Sequence, residues 1–211
     1  MQNTNPTFVI INEKKYPIRT SVADWVAILQ VADDPTLTEA EKLVFQLRLA
    51  YKKKIRIEDL RDAAEKLHWF IAAGNTQKRQ GGSKRLVDFV QDWAYVVAAF
   101  QQQYNIDLSP APWWKFWHRP MHWWHFMNLF RGLTDETLLV KIIGWRGINL
   151  AKVKDKELKR QYADLKKFYA LAPAGRAREK EYTPQELLEI ANKKLLELKE
   201  KKKLSAEAHN G

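Results

Sequence analysis

Three imidazoles, two carboxylates and one glycine-rich loop are the groups whose types and spacing invite chemistry in this chain. His118, His122 and His125 are separated by four and three positions, which on one helix would aim three ring nitrogens at a zinc ion. Pro120 lies inside that run and breaks a continuous helix, so capping and packing are the expected roles. Asp88 and Asp92 stand one helical turn apart, as a hard cation would require, but no third oxygen ligand follows nearby in sequence. A salt link to the basic surface is expected instead. Gly82-Ser83-Lys84 inverts the Gly-Lys-Ser/Thr order of a phosphate loop and follows a predicted helix, not a strand. The four serines lie outside any nucleophile elbow, and no dinucleotide fingerprint or zincin helix occurs. Zero Cys removes thiolate nucleophiles and thiolate metal sites together. With no nucleophile, base and stabilising group gathered in one place, the chain is expected to be no enzyme, to carry no cofactor or metal, and to act by binding.

The groups suited to binding are aromatic and aliphatic. Trp113, Trp114, Phe116 and Trp117 crowd a connector, 109–120, whose three prolines keep it turn-rich and partly extended. A core helix cannot absorb all four rings, which makes this connector the first candidate partner surface. Around a helical wheel of 121–133, Trp123, Phe126, Met127, Phe130 and Leu133 share one arc and are expected to be core. Trp124 falls beside Asn128 and Arg131, where a large ring either covers a neighbouring helix or meets a partner. Near the end of the chain, Thr183-Pro184-Gln185-Glu186 opens a charged amphipathic helix with Leu188, Ala191, Leu195 and Leu198 along one seam. Two heptads are marginal alone in water, so this helix must dock on its own body, a second copy or a partner. The candidate partner-binding residues are therefore Trp113, Trp114, Phe116, Trp117, Trp124, Leu188, Leu195 and Leu198.

The elements that must position these groups are mainly helical. Phe8-Val9-Ile10-Ile11, a polar 12–15 and Tyr16-Pro17-Ile18 predict a short N-terminal β-hairpin with Pro17 on an edge. A helix follows from Ser21, carrying Trp25, Ile28 and Leu29, until Asp33-Asp34-Pro35 ends it. Thr38 and Glu41 form a capping box before a stripe of Leu43, Leu47, Ala50 and Tyr51. Another helix is predicted over 57–73, then a polar loop over 74–85. Ser83 can cap a helix over 85–104 with Leu86, Phe89, Val90, Trp93, Val96, Val97, Phe100 and Tyr104 on the core side and Asp88, Asp92 and Tyr95 opposite. Pro120 introduces a helix from Met121 to Gly132. Thr134 with Asp135 and Glu136 opens a central one bearing Leu138, Leu139, Ile142, Ile143 and Trp145. The span from Asp155 to Leu171 is predicted to be helical, with Leu158, Tyr162, Leu165 and Tyr169 inward. The fold class expected is mainly α: a compact multi-helix domain with an N-terminal hairpin and a C-terminal charged helix. Its organisation is 1–82 as hairpin and helices packed on the core, 83–172 as helical core, and 173–211 as linker and amphipathic helix.

The 211 residues carry a formal charge of +11 and a sequence pI near 9.7. The excess is spread along the chain and is densest between Lys141 and Lys167, where Lys152, Lys154, Lys156, Lys159, Arg160, Lys166 and Lys167 face few acids. A solvated helix face accounts for this; a nucleic-acid patch that also stacks bases on aromatics is the competing reading. The N-terminus lacks a cationic stretch followed by an apolar one, and no apolar run approaches the ~20 residues of a membrane span. A soluble protein of a reducing cytosol is expected, with no membrane partner.

Several stretches together carry a resemblance. Asp88-Phe89-Val90-Gln91-Asp92, Ala98-Ala99-Phe100, Tyr104-Asn105-Ile106-Asp107-Leu108, His122-Trp123-Trp124-His125-Phe126 with Leu129 and Gly132-Leu133, and Ile142-Ile143-Gly144-Trp145-Arg146 resemble the tailed-bacteriophage family named after gene product fifteen. The match covers roughly 85–171 and, loosely, the N-terminal hairpin and helices, with the double tryptophan its most specific part. Asp88, Asp92, Phe100, His122, Trp123, Trp124, Phe126 and Arg146 are its motif positions, expected to be mostly structural. The resemblance implies a tail-morphogenesis protein encoded beside the tape measure, a tail assembly chaperone that coats the tape-measure protein and recruits tail-tube subunits. Residence in the host bacterial cytoplasm during assembly follows from it. The alternatives are a structural component of the virion's tail or head–tail junction and, in another class, a basic nucleic-acid-binding protein. A homo-oligomer is compatible with all three. The Trp-rich connector and the helix after 175 depart from the family pattern.

Overall fold

The computed structural model of the chain describes residues 5–75, 85–108 and 120–172. Among them it is mainly α, with one hairpin and seven α-helices in chain order. They divide into two compact units: Pro6–Arg19 with Ala27–His68, and Thr20–Val26 with the described part of Trp69–Pro173.

The first unit begins with strands β1 (Phe8–Ile11) and β2 (Lys14–Pro17), antiparallel, with Ile11 opposite Lys14. Only Asn12 and Glu13 therefore make the turn, and both have positive φ, 45° and 63°. That is the primed geometry whose twist matches a hairpin, and Asn is among the residues that tolerate it. The Asn12 amide donates to Asp59 at 2.7 Å and the Tyr16 hydroxyl donates to the other carboxylate oxygen at 2.6 Å. The buried Asp59 closes a short 3-10 turn, Ile57–Asp59, that leads into α3 (Leu60–Ile71). Helix α2 (Glu39–Ala50) starts with the expected capping box, Thr38 accepting from the Glu41 N–H and Glu41 from the Thr38 N–H. Its buried side includes Phe45, Leu47 and Ala50, with Leu43 only half-buried.

The second unit is built on α4 (Trp93–Tyr104), α5 (Trp123–Arg131), α6 (Leu138–Gly147) and α7 (Lys156–Phe168). It also holds the start of α1 (Val22–Ala32), which the Ser21 hydroxyl opens by accepting from the Asp24 N–H. Its core is a run of rings: Trp25 stacks on Phe70 at 4.9 Å and on Trp123 at 6.0 Å. Trp123 stacks on Phe126 at 5.2 Å, and Phe126 on Phe100 at 4.9 Å. Trp25, Phe70, Phe100, Trp123 and Phe126 are all fully buried, together with Leu139 and Ile142 of α6.

Four expectations need correction. The helix predicted over 85–104 begins only at Trp93, because the Asp88 carboxylate accepts from the Val90 and Gln91 N–H groups and gives the backbone a local alternative to the helix. Phe89 is thus off the helix, yet it still packs edge-on against Trp123 and Phe130. Helix α6 starts after Thr137, not Thr134, whose carbonyl accepts from the Thr137 hydroxyl. Helix α7 buries no residue, and Leu158, expected inward, is 41% exposed. Finally, Asp88 and Asp92 are buried rather than surface carboxylates.

Candidate functional site

The last turn of a helix leaves backbone carbonyls without partners, and the double tryptophan supplies them at the end of α3. The Trp124 indole N–H donates to the Phe70 carbonyl at 3.1 Å and the Trp123 indole N–H to the Ile71 carbonyl at 3.0 Å. The Arg131 guanidinium, two turns further along α5, reaches the next carbonyl, Ala72, at 2.5 Å. The backbone closes the same end itself: Gly74 donates to Trp69 at 3.0 Å and Ala73 to Phe70 at 3.0 Å, a Schellman pattern. This needs left-handed residues, and Ala73 and Gly74 have φ of 49° and 75°. Gly74 also lies flat under the Trp124 ring, where a Cβ would sit 2.8 Å from the indole edge. Trp124 therefore covers a neighbouring helix end, with its ring also against Trp69 at 4.9 Å. Of its two expected placements, this is the intramolecular one.

The start of α5 is held as firmly. His122 is its N-cap, its Nδ1 accepting from the Trp124 N–H at 3.1 Å. Ser21 and His122 pair as an antiparallel bridge, with the Trp123 N–H donating to Thr20 at 2.6 Å and the Val22 N–H to Met121 at 3.0 Å. His125 is exposed on α5, and His118 lies outside the described residues. Among the described residues, no three His, Cys, Asp or Glu side chains are grouped as a metal would need.

A second set of motif residues forms an ionic clasp. Arg146 of α6 grips Asp92 through both terminal nitrogens, at 2.7 and 2.8 Å, and the whole pair is buried. Two further guanidinium donors are used, on the Leu86 carbonyl at 2.9 Å and the Tyr169 carbonyl at 2.5 Å. Asp92 also accepts from the Asp88 N–H at 2.9 Å, and Asp88 pairs with Arg85. One arginine thus ties the 85–92 loop, α6 and the end of α7. Trp145 stacking on Tyr169 at 5.3 Å reinforces the junction.

Motif residues Asp88, Asp92, Phe100, His122, Trp123, Trp124, Phe126 and Arg146 are all engaged inside this unit, so none presents a free reactive group. The candidates Trp113, Trp114, Phe116, Trp117, Leu188, Leu195 and Leu198 lie outside the described residues. Within the second unit, Leu138, Leu158 and Phe168 remain exposed, Phe168 at 79%. The first unit exposes Phe8 and Ile10 on one face of β1, which four consecutive apolar residues conceal in the sequence and only the strand register reveals. No described helix is long and apolar enough to cross a membrane.

Against known proteins, the sequence model of a family described as "Bacteriophage Gp15 protein" matches residues 2–171. Neither a curated protein nor a solved structure matches the chain.

Proposed function

The chain belongs to the bacteriophage Gp15 family, and on that premise we propose that it is a non-enzymatic tail-morphogenesis protein, a tail assembly chaperone for the tape-measure and tail-tube proteins. The observation that carries this reading is the fate of the family motif. Its rings and charges are spent on capping α3 and clasping α6 to the 85–92 loop, which makes the motif a scaffold. What the scaffold presents is apolar: Phe168 and Leu158 stand out among the lysines of α7, as suits transient cover of an elongated, partly apolar client. The client meets these side chains in the host cytoplasm and leaves as the tail matures.

Co-expression with the tape-measure protein of the same phage tests the proposal: soluble tape measure should rise several-fold over expression alone. No gain in solubility would count against it. Mass spectrometry of purified virions separates the chaperone from a structural tail component, since a chaperone is absent or scarce in finished particles while a structural subunit is present in fixed copy number.

A further inference from the structure

The outer edge of β1 is built to receive a strand. Ile18 donates to the Thr7 carbonyl at 3.1 Å, which makes that pair a hydrogen-bonded one and sets the alternation along the hairpin. The pairs Val9–Tyr16 and Ile11–Lys14 are then bonded to each other, while Phe8 and Ile10, opposite Pro17 and Lys15, turn their N–H and C=O groups away from β2. The other side of the hairpin is already used: Lys52 donates to Pro17 at 2.9 Å and Arg19 to Ala50 at 2.8 Å. Among the described residues, nothing pairs with the β1 edge. The side chains of the same two residues are 39% and 54% exposed and share a face with Lys15, whose Nζ lies 4.9 Å from the Phe8 ring centroid.

We infer that this edge docks an extended partner segment of alternating apolar and acidic residues, added as a third strand. Charge selects that occupant. On the hairpin the exposed cations are Lys14 and Lys15, the latter over Phe8 at the edge itself, against Glu13 alone. A second copy of this chain would bring the same cations together, which disfavours self-pairing; an acidic strand would be drawn in and would replace the cation over Phe8 with a salt link. The inference stands on the hairpin and is independent of the chaperone role.

The test uses the full-length, isotope-labelled chain and two synthetic probes, an alternating valine–glutamate octapeptide and its valine–lysine counterpart. With the glutamate peptide, hydrogen exchange at the Phe8 and Ile10 amides should slow by about tenfold or more, while the Val9 and Ile11 amides, already bonded to β2, change little. Ile10→Glu, which removes the apolar contact and sets a carboxylate against the peptide's own, should weaken that binding about tenfold without moving the melting temperature, because the side chain is exposed and its backbone makes no hydrogen bond to β2. Equal protection by the lysine peptide would overturn the inference. So would protection that appears in the free protein as its own concentration rises, which would mark a second copy as the occupant. No binding by either peptide would leave Lys15 as a guard against edge pairing and sink the docking role.

Discussion

Trp123 and Trp124 are neighbours in sequence, and their two indole N–H groups end on neighbouring carbonyls, Ile71 and Phe70, at the last turn of α3. The two rings do different work. Trp123 is fully buried between Trp25 and Phe126, so Trp123→Phe leaves a gap and takes the donor from the half-buried Ile71 carbonyl together, for a loss of about 3 kcal/mol. Trp124→Phe trims a half-buried ring and removes an N–H whose acceptor also takes the Ala73 N–H, for a smaller loss of about 1–2 kcal/mol. Denaturant unfolding of the two variants should give that order; equal losses would show that the pair does not cap α3 as described.

Two adjacent small residues should respond in opposite senses. Ala73 sits at φ 49°, a conformation that costs an L side chain roughly 1 kcal/mol, so Ala73→Gly should raise stability by up to that amount. Gly74→Ala meets both a φ of 75° and the Trp124 ring 2.8 Å away, and should lower stability by about 2 kcal/mol or more. Thermal melting reads both signs.

How far this cap could be read from sequence follows from its parts. The double tryptophan was legible as a motif and Trp123 as core, because period and ring size carry that information within a dozen residues. Its acceptors lie more than fifty positions upstream, and nothing in a one-dimensional pattern links Trp123 to Ile71. The same separation hides the clasp: Asp92 and Arg146 are each visible, and their 54-residue spacing is not. Local chemistry misled at the start of α4, where a side chain competed with the backbone. Asp88 lies inside a good helical period, but its carboxylate takes the amides that a helix would have used, and α4 starts five residues later than Asp88. Thr38 and Glu41, three apart, formed the capping box their spacing predicts, since that interaction closes within one turn.

The clasp predicts a steep loss for a conservative change. Arg146→Lys cannot span both oxygens of Asp92 while also reaching Leu86 and Tyr169, and it leaves a buried carboxylate under-bonded. A destabilisation of about 3–5 kcal/mol is expected, and a double-mutant cycle with Asp92→Asn should show strong coupling. Additive single losses would mean that the ion pair is incidental to the junction.

Acid should loosen the hairpin unit through Asp59. Hydrogen bonds donated by Tyr16 and Asn12 stabilise its charged form and hold its pKa below the ordinary carboxylate value. A folded-state pKa below the unfolded one means stability that is present in full above about pH 4 and lost as pH falls through the lowered value. The same bond raises the Tyr16 pKa, so its contribution is present below about pH 10 and fades above it. Tyr16→Phe should flatten both limbs of the stability–pH curve. An unchanged acid limb in that variant would remove Asp59 as its source.

Stability and client binding should separate at α7. Phe168 is 79% exposed and touches its neighbour Tyr169 edge-on at 4.9 Å, while Leu158 is 41% exposed on the same helix. Phe168→Ser with Leu158→Ser removes apolar surface that the fold does not bury, so the melting point should move little, the two together costing well under about 1 kcal/mol. If these side chains cover an apolar client, the double variant loses most of the several-fold gain in tape-measure solubility while Arg146→Lys, measured at a temperature where it stays folded, retains it. A double variant that solubilises the tape measure as well as the parent would move the binding surface away from α7.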